Sequence, residues 1–164
     1  MWSEHLEKLV AWVTEQGWEV DLRAGNTDEV NEETMKIKLN STRSSRETIC
    51  YTLLHEIGHA ILFQQTDYGE RFVDVVEAKQ KKSYGGNKYR VGRVEEELAA
   101  WAVGLDVGKQ LGIPVNLSSF NKVKSKAVMT YFKWAARANE FAYTKGPRNS
   151  SKASAKTNTD ESTV

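Results

Sequence analysis

Two of the three histidines in the chain stand four residues apart, in Thr52-Leu-Leu-His-Glu-Ile-Gly-His-Ala-Ile61. A helix turns about 100° per residue, so His55 and His59 project from one face, one turn apart. Two imidazoles placed this way can grip a single divalent ion, and zinc is the ion that suits them. Glu56 lies about 100° further round, where its carboxylate reaches the open coordination position rather than filling one of the others. That is the place of a base, not of a ligand. The residues around the pair (Leu53, Leu54, Ile57, Ala60, Ile61, Leu62 and Phe63) are apolar, so the helix is expected to be buried. Burying two imidazoles and a carboxylate without partners is costly, which favours a metal centre over a chance spacing.

A catalytic zinc of this kind takes three protein ligands and keeps one position for water. The remaining histidine, His5, lies in a separate N-terminal segment. The longer motif with a third histidine fails, because position 62 is Leu and position 65 is Gln. The third ligand is therefore expected to be a carboxylate from another helix, and Glu95-Glu-Glu97 is the obvious source. Glu97 falls three residues after Val94 and four before Trp101, at the edge of an apolar seam, whereas Glu95 and Glu96 are expected to face solvent or cap the helix. Glu97 is favoured and Glu96 is held in reserve, with Glu70, Glu77 and Asp106 as outsiders.

Periodicity places the rest of the chain around these two segments. Trp2, Leu6, Leu9, Val10 and Val13 make one helical stripe, which Gly17 stops. Trp18, Val20 and Leu22 alternate with polar residues as a strand, and so do Met35, Ile37 and Leu39. The acidic stretch between them, with Asp28, Glu29, Glu32 and Glu33, reads as a solvated loop. Ser44-Ser-Arg-Glu47 has the spacing of a capping box, so the histidine helix should begin near residue 45, with Ile49, Leu53, Ile57 and Ile61 facing a core and Thr52, His55 and His59 facing a site. Phe72, Val73, Val75 and Val76 suggest a short helix or strand. A second strong helix runs over 94–110, with Val94, Leu98, Trp101 and Leu105 on one seam. A long C-terminal helix covers 118–142, opened by Ser118-Ser119 and carrying an aromatic stripe that includes Tyr131 and Trp134. The expected class is α+β: a small twisted sheet against the histidine helix, in a single domain over 1–144, followed by a disordered tail over 145–164.

Between the two strong helices, residues 79–93 hold Lys79, Lys81, Lys82, Lys88, Arg90 and Arg93 with two tyrosines and no acid. Such a mobile basic loop could hold nucleic acid through phosphates and stacking, or steer a peptide. A net charge of +1 leaves any such affinity to a local patch. The lone cysteine, Cys50, rules out an internal disulfide, fits a reducing compartment and belongs to the core. No apolar run reaches membrane length and residues 1–20 lack the pattern of a signal peptide, so the expected location is cytoplasmic, with no membrane partner.

Tyr51-Thr-Leu-Leu-His-Glu-Ile-Gly-His-Ala-Ile-Leu62, the strand before it and Glu95-Glu-Glu-Leu-Ala-Ala-Trp-Ala-Val-Gly-Leu105 closing at Gly112-Ile-Pro114 resemble the HExxH metallopeptidases of the gluzincin type, in particular the small ImmA/IrrE-like group. The resemblance covers roughly residues 18–115. Ala99-Ala100-Trp101 departs from the Ala-Asn-x-Phe pattern usual in that group, so the register of the third ligand stays open by about one residue. The resemblance implies a zincin-type packing of sheet on helix, a resident Zn²⁺ and cleavage of a protein or peptide. The expected roles are His55, His59 and Glu97 as metal ligands and Glu56 as general base, with Tyr84, Tyr89 or Tyr131 as donor to the oxyanion. The alternative is a non-catalytic, metal-stabilised accessory protein that binds nucleic acid or a macromolecular assembly through residues 79–93.

Overall fold

The computed structural model describes the backbone of residues 1–42 and 45–144 and side chains up to residue 137. The expected tail, 145–164, lies outside the described residues. The order is α1 (Trp2–Glu15), β1 (Glu19–Arg23), β2 (Glu29–Asn31), β3 (Lys36–Asn40), α2 (Arg46–Gln64), α3 (Tyr68–Arg71), α4 (Val73–Lys81), α5 (Asn87–Gln110) and α6 (Leu117–Thr144). The class is α+β, as the sequence patterns indicate.

Gly17 ends α1 in the left-handed region, at φ +88°, and lets the Trp18 N–H return to the Val13 carbonyl. The chain then enters β1, which pairs in parallel with β3 from Glu19↔Lys36 to Arg23↔Asn40. The acidic stretch is solvent-exposed at Glu29, Glu32 and Glu33, as its composition suggests, but it is not all loop. Glu29–Asn31 forms β2, antiparallel to β3 at the sheet edge, and Glu29 sits opposite Lys38 with its carboxylate 2.7 Å from the Lys38 Nζ. Opposite charges across the two strands offset the weak strand propensity of an acidic segment.

Ile37 and Leu39 turn from β3 into a core shared with Leu6, Leu9 and Val13 of α1, Trp18, and the apolar residues of α2. The N-terminus of α2 is capped by Ser45, whose Oγ accepts from the Thr48 N–H at 3.1 Å. The first residue of the expected box, Ser44, lies outside the described residues, and the Glu47 carboxylate accepts from the Tyr51 hydroxyl. Every residue of α2 from Ile49 to Ala60 is buried, because α1, the sheet, α5 and α6 enclose it. The helix is buried as expected, with Ile49, Leu53 and Ile57 in the core and the face of Thr52, His55 and His59 turned to cavities rather than to bulk solvent.

The short element expected around 72–76 is helical, and the basic loop after it changes. Residues 73–81 are α4, and α5 begins at Asn87, so most of the expected basic loop is helical. On α5 the seam is rotated: Leu98 is 37% exposed, while Val94, Ala100, Trp101, Gly104 and Val107 are buried. The start of α6 is set by Asn116, whose side chain accepts from the Ser119 N–H, and not by Ser118-Ser119. The stripe of α6 only partly enters the core: Val123 and Ala127 pack half-buried against it beside the buried Phe120 and Val128, and Trp134 is 37% exposed with Tyr89 and Arg90 against it. Cys50 is fully buried, and burial pushes its thiol up to about 11, as suits a core residue. No helix among the described residues is long and apolar enough to cross a membrane.

Candidate metal centre

The residues His55, His59 and Glu97 come together because α2 and α5 touch through their backbones. A Cβ on Gly58 would stand 1.9 Å from the Ala100 carbonyl oxygen, and one on Gly104 would stand 2.0 Å from that of Leu54. Only glycine permits this approach at either point. It brings the side chain of Glu97, on α5, onto the histidine face of α2.

Glu97 is 1% exposed. Its Oε2 lies 3.1 Å from His55 Nε2 and its Oε1 lies 3.4 Å from His59 Nε2. One ligand atom from each of His55, His59 and Glu97 falls within 4.8 Å of the others, so this buried group could hold a metal ion. Glu56 is 4% exposed and its Oε1 is 3.2 Å from His55 Nδ1. The indole of Trp101 stacks on the His55 ring, with centroids 4.4 Å apart and planes inclined by 15°. This fixes the ring so that Nε2 faces Glu97 and Nδ1 faces Glu56. The donor set of two imidazoles and a carboxylate is one that zinc takes up readily. Both Nε2 atoms point into the same gap, while His59 Nδ1 points away from it, buried and without a hydrogen-bond partner, 3.7 Å from Glu96 Oε1.

The neighbouring carboxylates favour the charged form of both imidazoles. Burial opposes the charged form of His59, but the Glu96 and Glu97 carboxylates overcome it and push its pKa up to about 9. The same contest raises His55, where burial is outweighed by Glu56 and Glu97. Burial would raise Glu97, yet its contacts with His55 and His59 hold the carboxyl far below the usual range. Positive charge is what these carboxylates are arranged to receive.

Around the group lies a cavity of about 570 Å³, lined by His55, Glu56, His59 and Glu97 with Tyr84, Tyr89 and Tyr131. A second, of about 760 Å³, lies between α2 and α6 and shares His55, Glu56 and Tyr131 with the first. Glu56 therefore stands where the two meet. All three tyrosines considered from the sequence line the first cavity, but only Tyr131 lines both.

The outsiders fall away. Glu77 pairs with Lys81, Asp106 pairs with Lys109, and neither these nor Glu70 nor His5 belongs to the metal-holding group. Glu96 differs from the expectation: it does not face solvent but is fully buried, behind His59. Sequence reasoning also missed Arg93, which donates to both Glu96 and Glu97, and Tyr68, which donates to Glu96 at 2.9 Å. The spacing of Arg93 three and four residues before two acids was the available signal. Within the basic window, Lys79 pairs with Glu32, Lys81 with Glu77, Arg90 donates to the Gly85 and Trp134 carbonyls, and Arg93 donates to Glu96 and Glu97.

No protein-family model matches the chain, and neither a curated protein nor a solved structure matches it.

Proposed function

We propose that this chain is a zinc-dependent metallopeptidase of the gluzincin type, resembling the ImmA/IrrE-like group, with a zincin-type packing of its sheet on α2. The reading rests on one observation above the others: His55, His59 and Glu97 converge from two helices while Glu56 stands beside them at the junction of two cavities.

His55 and His59 would hold the ion through Nε2, and Glu97 through its carboxylate. Zinc bound there supplies a lowered water pKa and a polarised substrate carbonyl. The protein does the rest with its own groups. Glu56 accepts the proton of the attacking water and returns it to the departing amide nitrogen. Trp101 keeps the His55 ring from turning. Tyr131 is the best placed of the three tyrosines to donate to the oxyanion, since it lines the cavities on both sides of Glu56. Burial, and then the neighbouring Glu97 charge, push the Tyr131 hydroxyl well above its ordinary pKa, so it keeps its proton at neutral pH. The substrate is a protein or peptide.

A peptide-library cleavage assay with wild-type and Glu56→Gln protein tests the reading. The variant is expected to keep its zinc and lose about 10²- to 10⁴-fold in rate. Full activity in a zinc-loaded Glu56→Gln protein would remove the base. Salt-sensitive nucleic-acid binding that survives chelation, with no proteolysis, would favour the accessory-protein alternative through residues 79–93.

A further inference from the structure

The three adjacent acids of α5 do three different things. Glu95 is exposed, Glu97 faces the imidazoles, and Glu96, with no exposure at all, is a buried carboxylate that the peptidase mechanism does not use. Burying a carboxylate is expensive unless each of its oxygens is satisfied. Both are. Oε2 accepts from Arg93, and Oε1 accepts from the Tyr68 hydroxyl at 2.9 Å. The same Oε1 lies 3.7 Å from His59 Nδ1, within about half an ångström of a hydrogen bond, and that nitrogen is buried with no other partner.

Metal-bound imidazoles characteristically give their second ring N–H to a carboxylate, which fixes the tautomer and the ring orientation. Here the geometry does more than that. Arg93 grips Glu96 with one guanidinium nitrogen and Glu97 with the other, the latter at 2.8 Å. A single side chain thus ties the carboxylate behind His59 to the carboxylate in front of it.

We propose that Glu96 is the positioning residue of the metal centre, holding His59 with Nδ1–H toward itself and Nε2 toward the ion, and that Arg93 locks Glu96 and Glu97 into one register. Tyr68 braces this lock from α3, a short helix that follows the histidine helix. The inference rests on the metal-centre reading above and adds to it a division of labour within Glu95-Glu-Glu97.

The test measures zinc affinity by competition with a chromophoric chelator, together with the ¹⁵N imidazole spectrum of His59 in zinc-loaded protein. Glu96→Gln keeps the shape and loses the charge, and it is expected to weaken zinc binding about 10- to 100-fold and to shift the His59 Nδ1 resonance. Tyr68→Phe leaves the carboxylate and removes one of its donors, so it should fall between wild type and Glu96→Gln, and it stands in if the latter does not fold. A role in folding alone would lower the melting temperature and leave both readouts unmoved. Zinc affinity within about twofold of wild type in both variants, with an unchanged His59 spectrum, would overturn the positioning role and leave the metal centre standing. Failure of the wild type to bind zinc would overturn both.

Discussion

The backbone of Gly58 touches the backbone of Ala100: a side-chain carbon on the glycine would sit 1.9 Å from the Ala100 carbonyl oxygen. This contact, inside His55-Glu-Ile-Gly-His59, sets the spacing between α2 and α5, the helices that carry His55, His59 and Glu97. Gly58→Ala must push α5 away, and overpacking of this kind costs about 1–3 kcal/mol. For a chain of this size that lowers the melting temperature by roughly 2–4 °C per kcal/mol. The same displacement carries Glu97 from the imidazoles, so zinc affinity should fall with stability. Gly85→Ala, where a new Cβ meets nothing within 4 Å, is the control that should leave both unchanged. Calorimetry and zinc titration of the two variants check this.

The protonation of His59 links metal uptake to pH. Glu96 and Glu97 outweigh burial and push its pKa from the ordinary 6.5 up to about 9. A raised pKa contributes stability that is fully present below about 6.5 and is lost as pH climbs through about 9. The metal-free protein should therefore weaken over that window. His55 shifts in the same direction under Glu56 and Glu97, and at pH 7 the His59 ring carries a proton that zinc must displace. Calorimetric titration in buffers of different ionisation enthalpy should show proton release on zinc binding at pH 7, declining as pH climbs through about 9. Proton release that is absent at pH 7 would contradict the arrangement of carboxylates described here.

The extent to which this site is legible in the sequence follows from which forces act locally. His55, Glu56 and His59 are readable because one helix fixes their relation, and helical register alone is enough to prefer Glu97 over Glu95. Glu96 misleads, since adjacent acids look solvated until a distant phenol and an arginine are known to surround them. Arg93 was hidden inside an apparent basic loop, though its spacing to both acids was in plain view. The seam on α5 rotates away from Leu98 because the close face is made of Ala100 and Gly104, residues whose smallness lets backbones meet but which carry little hydrophobic signal. The edge strand Glu29–Asn31 owes its pairing to Lys38, nine residues from Glu29, and a composition-based reading has no access to that partner.

Tyr131 lines the cavities on both sides of Glu56, and Tyr84 and Tyr89 line only one. Tyr131→Phe should retain zinc and the fold while reducing the rate by about 10²- to 10³-fold, the usual cost of one oxyanion donor. Tyr84→Phe and Tyr89→Phe should change it far less. Steady-state kinetics on zinc-replete proteins decides the ranking, and equal losses in all three would show that it is wrong.

The central claim is that two imidazoles of α2 and one carboxylate of α5 share an ion. X-ray absorption at the zinc edge, on protein purified with one equivalent of zinc, tests it most directly. The account predicts two imidazole nitrogens at about 2.0–2.1 Å and oxygen donors at about 2.0–2.2 Å, with the signature lost in Glu97→Ala. A zinc shell containing sulfur, or one that is unchanged when Glu97 is removed, would contradict it.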